Sequence, residues 1–117
     1  MSSIITRSPI LITGGAGFIG ANIVNRLLDL GYKNVNLIVK ESTDLTRLKN
    51  VIKKINLHKA DLLDKDLEKI INKVNPSIII HLATYSQYRN QQAVLPMIDT
   101  NIKATLNLLN STRNLNY

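Results

Sequence analysis

The sequence predicts an α/β domain in which a doubly wound parallel sheet is covered by helices on both faces. Three observations carry that expectation. Stretches rich in Ile, Leu and Val occupy residues 9–13, 34–39, 54–58 and 77–83, and such stretches suit strands of a parallel sheet covered on both faces. Each is followed by a segment suited to a helix, over 17–30, 44–50, 64–74 and roughly 93–113, with helical apolar spacing plainest in the first and last. Four rounds of strand and helix give right-handed βαβ units and hence a layer of helix, sheet and helix. The third observation is the glycine-rich turn Gly14-Gly15-Ala16-Gly17-Phe18-Ile19-Gly20 between the first strand and the first helix.

Taken in order, Pro9 to Thr13 reads as a short buried strand. Gly14, Gly17 and Gly20 follow it, where side chains beyond Cβ would keep backbone N–H groups from reaching a pyrophosphate. A helix starting near Gly17 directs its partial positive charge at such phosphates. A glycine triplet also occurs in ordinary turns without a ligand; here strand, turn and helix agree. Ile19, Ile23, Leu27 and Leu30 define one face of that helix, and Gly31 stops it. Asp64 is placed to cap the third helix, and Asn75-Pro76 breaks the chain before the fourth strand. In the last helix Leu95, Ile98, Ile102, Leu106 and Leu109 form an expected core stripe, with Pro96 in the first turn, where its missing N–H costs nothing.

A chain of 117 residues makes one domain, 1–117. It contains no cysteine, which excludes disulfides and thiolate chemistry and suits a reducing compartment. His58 and His81 are its two histidines and share no metal-ligand spacing, so no metal is expected. No apolar run has the length of a membrane span, and the opening residues have too short an apolar core for a signal peptide, so a cytoplasmic protein without a membrane partner is expected. The net charge of +7, from 15 Lys and Arg against 8 Asp and Glu, would favour polyanions. The lysines are spread over several elements and aromatic residues are few, which favours a solvated surface over a nucleic-acid partner.

Four motifs occur in order: Thr13 through Gly20; Ala60-Asp61-Leu62 with Asp64; Pro76 through His81-Leu82-Ala83-Thr84; and Asn101 with Thr105. Together they resemble the extended short-chain dehydrogenase/reductase superfamily, in particular the NAD-dependent epimerase/dehydratase group acting on nucleotide sugars. The resemblance spans essentially the whole chain and the amino-terminal part of such proteins. The full expectation is a Rossmann-type sheet of strand order 3-2-1-4, truncated before the later strands. Within it, Gly14, Gly17, Phe18, Ile19 and Gly20 would bind the dinucleotide.

The resemblance further implies that Asp61 accepts a hydrogen bond from the adenine amino group while the backbone of Leu62 meets the ring; the plainer reading is that Asp61 ends a strand. Leu82, Ala83 and Thr84 belong at the carboxyl end of the fourth strand, beside the switch point where such sheets bind ligands. The apolar neighbours of His81 favour a hydrogen-bonded strand histidine over a catalyst. Asn101 and Thr105 lie one helical turn apart, next to the apolar stripe. The matching Asn of the family lies near the cofactor and helps order the active site, while a helix-to-loop hydrogen bond serves equally for Asn101.

At the end of the second strand, where the family often places an acid on the adenosine ribose, the chain reads Val39-Lys40-Glu41. A lysine favours a 2′-phosphate where a carboxylate would repel it, and Arg47 adds a second cation. Glu41, one position later, keeps NAD open, so the expected cofactor is NADP or NAD with NADP favoured. The Tyr-x-x-x-Lys pair of the family is absent from the 117 residues, and Tyr85 with Arg89 is the nearest approach, in which Arg does not replace the pKa-lowering lysine. The expectation is therefore an amino-terminal dinucleotide-binding portion without its carboxyl-terminal substrate domain, inactive alone. It would meet a nucleotide sugar only in a full-length form, with a homodimer as a further expected partner. The alternative is a non-enzymatic NAD(P)-binding sensor. An unpaired apolar edge at Ser77 to Ala83 and an uncovered part of the last helix would leave the isolated chain prone to self-association.

Overall fold

The computed structural model describes residues 3–85, 90 and 92–117. Four strands, β1 (Ile10–Thr13), β2 (Val35–Val39), β3 (Asn56–Lys59) and β4 (Ile78–His81), form one parallel sheet in the order β3-β2-β1-β4. The helices are α1 (Ser3–Arg7), α2 (Phe18–Asp29), α3 (Leu67–Val74), α4 (Val94–Ile98) and α5 (Ala104–Ser111), with a π-helical segment, Asp99–Lys103, joining the last two. No helix among the described residues is long and apolar enough to cross a membrane.

Side chains alternate across the sheet and divide the core in two. On one face Ile10, Ile12, Val35, Leu37 and Val39 pack with Ala21 and Val24 of α2 and with Leu48 and Ile55. On the other, Leu11 and Ile38 pack with Leu67 and Ile71 of α3 and with Ala104 and Leu108 of α5. β1 and β2, the two inner strands, are buried on both faces, whereas β3 and β4 are partly exposed. Asn36 is the buried polar exception in β2. Its amide donates to the Asn34 side chain at 2.9 Å, and its oxygen accepts from His58 Nε2 at 3.0 Å.

Several expected elements change on folding. Residues 44–50 form no α-helix; Thr46–Leu48 makes one 3-10 turn. Asp44 accepts from the Thr46 N–H and hydroxyl there, and Leu48 is the only side chain of the turn that is fully buried. The third strand begins at Asn56 because Ile52–Lys54 is taken up by a second 3-10 turn. Asp64 does not cap α3: its carboxylate closes the preceding loop on the Asp61 N–H at 2.9 Å, and the helix starts three residues later, at Leu67. Asn75 does break the chain, in the left-handed conformation at φ 48°.

The faces of two helices also differ from expectation. In α2 the buried residues are Gly20, Ala21 and Val24, while Ile19 and Leu30 are exposed. In the last helix Leu95, Ile98, Ile102, Leu106 and Leu109 are all exposed, and Ala104, Leu108 and Ser111 are buried instead. The reason is geometric. Ala104 and Leu108 meet Leu67 and Ile71 of α3 and Leu11 and Ile38 of the sheet, and the larger row lies on the side that nothing among the described residues covers. The short helix α1 was not foreseen; its Thr6 carbonyl accepts from the Lys33 N–H at 3.0 Å.

Candidate functional site

The chain leaves β1 through Gly14, whose φ of +70° lies in the left-handed region that glycine favours. A Cβ at Gly14 would stand 2.6 Å from the Leu82 carbonyl carbon and from the Ala83 nitrogen. Turn and strand end therefore meet backbone to backbone. A Cβ at Gly20 would fall 2.1 Å from the Gly14 oxygen, so α2 packs directly on the turn. These two glycines are required by packing within the protein. Gly17 differs: its Cβ would meet only the Gly14 oxygen, at 3.4 Å. It also occupies the cap position of α2, where no side chain caps the helix.

Beside the turn lies a cavity of about 960 Å³ over the carboxyl ends of the strands, bounded by Gly14 after β1, Lys40 after β2, Asp61 after β3 and Leu82 after β4. Doubly wound sheets hold ligands at that place. Gly17, Phe18, Ile19 and Gly20 line one side, with Phe18 and Ile19 exposed. Arg47, Leu62, Ala83 and Thr84 line it elsewhere. The structure thus brings the sequence-predicted residues to one cavity except Asn101. Thr43, Asp44, Leu63, Tyr85, Thr100 and Ala104 line it as well and were missed. Thr43 and Asp44 could have been found, since they follow a strand's carboxyl end. Nothing local marks Thr100 or Ala104, whose placement depends on the π segment.

Charge is balanced at the rim. The Lys40 ammonium stands 3.6 Å from one Asp61 carboxylate oxygen, both side chains being largely solvated. The other Asp61 oxygen accepts from the Leu63 N–H at 2.9 Å. Asp61 thus closes the turn after β3 and also presents its carboxylate at the rim. Glu41 pairs with Lys59 at 3.8 Å and does not line the cavity. Asp44, beside Arg47, is held below the usual carboxylate range chiefly by the hydroxyl and N–H of Thr46.

Asn101 works from behind the wall. Its side-chain oxygen accepts from the Thr84 hydroxyl at 3.0 Å and from the Tyr85 N–H at 2.9 Å, and its amide donates to the Tyr85 carbonyl at 3.0 Å. The helix-to-loop bond is the arrangement found, and it comes from the π segment, a form that recurs at functional sites. Tyr85 lines the cavity, whereas Arg89 lies outside the described residues. His81 is hydrogen-bonded on both ring nitrogens, to Thr13 at 2.5 Å and Thr105 at 2.9 Å, and burial lowers its pKa.

The family model described as GDP-mannose 4,6 dehydratase matches residues 11–117. Among curated proteins the chain is 35% identical over 106 residues to a putative UDP-glucose 4-epimerase of Methanocaldococcus jannaschii, covering 89% of this chain and 33% of that protein. It is 36% identical over 113 residues to dTDP-D-glucose 4,6-dehydratase of Dictyostelium discoideum, covering 90% and 26%. Among solved structures, UDP-glucose 4-epimerase of Thermus thermophilus, in complex with NAD, superimposes with a TM-score of 0.75 at 32% identity, covering 90% of this chain and 33% of that one. The chain thus spans about a third or less of the length of these relatives. With the family pattern running from Leu11 to Tyr117 over a parallel sheet of order 3-2-1-4, this chain belongs to the GDP-mannose 4,6 dehydratase family, within the NAD-dependent epimerase/dehydratase group.

Proposed function

We propose that this chain is the dinucleotide-binding portion of an NAD(P)-dependent enzyme acting on nucleotide sugars, an epimerase, dehydratase or reductase. The observation that carries the reading is Gly17. No neighbouring group in the protein needs a glycine there, yet the residue sits on the cavity wall at an uncapped helix start, where a side chain would stand between the backbone and a bound pyrophosphate. Gly14 and Gly20 hold the turn, Phe18 and Ile19 offer apolar surface, and Asp61 with Leu62 provides an acceptor and a backbone edge for an adenine ring. Leu82, Ala83 and Thr84 form the opposite wall, backed by Asn101. The nicotinamide, when bound, supplies hydride transfer. The relatives reported above carry enzyme names, which favours this reading over a non-enzymatic cofactor sensor. The Tyr-x-x-x-Lys pair is not among these 117 residues, so binding, and not turnover, is assigned to the chain.

Calorimetric titration with NAD, NADH, NADP and NADPH tests the reading. Binding by the chain and its loss in Gly17→Val with an unchanged melting curve are expected; no binding of any of the four at millimolar concentration would refute it. Within the site, Lys40 and Arg47 line the cavity and Glu41 does not, and that charge pattern supports a preference for the 2′-phosphate of NADP. Lys40 would exchange its solvated contact with Asp61 for the phosphate. A charge-assisted bond of this kind is worth about ten- to a hundredfold in affinity. Lys40→Asp should then reverse the preference toward NAD, and an unchanged ratio of the two affinities would remove Lys40 from the site.

A further inference from the structure

His81 is a titratable side chain wired into the wall of the cavity without lining it. Thr13 and His81 are neighbours in the sheet register, and both face α5. The Thr105 hydroxyl donates to the Asn101 carbonyl at 3.0 Å, so it accepts from His81 Nε2–H at 2.9 Å. That leaves Nδ1 as the acceptor of the Thr13 hydroxyl proton at 2.5 Å. The Thr13 hydroxyl oxygen in turn accepts from the Ala83 N–H and, as a second bond, from the Leu82 N–H, each at 3.2 Å; the shorter bond of the Leu82 N–H, at 3.0 Å, goes to the Thr13 backbone carbonyl. The Thr13 hydroxyl proton has Nδ1 as its acceptor only while the imidazole is neutral. A proton on Nδ1 would set two donors against each other at Thr13, and the Thr13 oxygen could then no longer serve Leu82 and Ala83 as it does.

We propose that neutral His81 is a positioning residue that fixes the Leu82–Ala83 wall of the cavity through Thr13, and that its protonation releases that wall and weakens dinucleotide binding. The binding part of this inference rests on the dinucleotide reading above. Burial depresses the imidazole pKa, which keeps the neutral form dominant near neutrality. Among the described residues the groups facing His81 do not supply a competing charge. β1 carries no titratable side chain, β4 carries none but His81, and α5 carries none. In the π segment, Asp99 and Lys103 pair with each other at 3.0 Å, largely in solvent.

The test is a titration of the 117-residue chain with NAD across a pH series, alongside His81→Gln, His81→Leu and His58→Gln. Glutamine offers one acceptor and one donor in place of Nδ1 and Nε2–H and does not titrate. The expected result is that wild type binds about two- to fivefold more weakly at about pH 5 than at about pH 8, the loss growing as pH falls through the depressed His81 value. His81→Gln should bind with little pH dependence, His81→Leu weakly throughout, and His58→Gln with the wild-type slope. A wild-type affinity that is flat with pH, or a His81→Gln variant that keeps the slope, overturns the inference. An NMR titration of the amides of Leu82 and Ala83 needs no ligand: they should move with the His81 ring in wild type and stay still in His81→Gln. Absence of NAD binding at every pH refutes the dinucleotide reading, and the amide titration then decides by itself whether His81 holds the wall.

Discussion

The glycine turn and the last helix bound one cavity from opposite sides and are built by opposite means. At the turn, position is set by backbone meeting backbone: Gly14 against Leu82 and Ala83, Gly20 against Gly14. At the last helix it is set by a few side chains reaching far along the sequence. The Asn107 amide donates to the carbonyls of Leu62 and Asp64 at 2.7 and 3.0 Å, Asn101 holds the Thr84–Tyr85 loop, and Ala104 and Leu108 pack beside Leu67 and Ile71. A backbone contact leaves no slack, because no rotamer can relieve it. A side-chain tie can be cut with local consequences.

The largest expected effect follows from that contrast. Gly20→Ala should cost about 3 kcal/mol or more in urea unfolding, since the new carbon would lie 2.1 Å from a carbonyl oxygen. Gly17→Ala, three residues earlier, whose new carbon would make one ordinary contact at 3.4 Å, should stay within about 1 kcal/mol of wild type. Equal effects of the two substitutions would break the distinction between packing glycines and the cavity glycine.

Next in size are the two faces of the last helix. Leu108→Ala should cost about 2–4 kcal/mol because Leu108 is buried, and Leu106→Ala within about 0.5 kcal/mol because Leu106 is 56% exposed. The exposed row from Leu95 to Leu109, together with β4, whose one described neighbour is β1, favours association between copies. Sedimentation at tens of micromolar is expected to show it, and Leu106→Lys to reduce it without lowering stability. Asn101→Ala should have a smaller effect, about 1–2 kcal/mol for its exposed ties, and should speed hydrogen exchange at the Tyr85 amide.

The smallest expected effect is on pH dependence. His81 and His58 are both pushed below the ordinary imidazole value of about 6.5, His81 by burial and His58 by burial and then by the nearby Lys73 ammonium. The unfolded chain therefore takes up protons that the folded chain refuses. The stability contributed by the two neutral rings is complete above the ordinary value and declines as pH falls below it. The decline stops once the depressed folded values are passed. Unfolding midpoints should fall from neutral toward mildly acidic pH, less so in His81→Gln. A rise over that window would contradict the assigned neutral rings.

Element type was legible wherever backbone chemistry is local. Apolar runs marked β1, β2 and β4, glycines marked the turn, and Asn75-Pro76 marked a boundary. The same signals failed where two local solutions compete. Asp44 and Asp64 both read as helix-starting residues, yet each spends its carboxylate on a neighbouring loop amide, and the helices begin later or not at all. Lys40 and Asp61 were legible as cavity residues, but not as partners of each other. Their separation in sequence gives no sign of contact across the ends of two strands.

The sequence by itself determined the alternating elements, the glycine turn and the set of strand-end residues that surround the cavity, because each depends on backbone freedom or periodicity within a few residues. The tertiary structure alone decided which face of the last helix is buried, which glycines serve packing, and how His81 bridges two threonines, one of them 68 residues away. The apolar period of a helix shows that it has a face. What meets that face depends on the shape of distant neighbours, and here Ala104 and Leu108 face the core while the larger row of side chains is left in solvent.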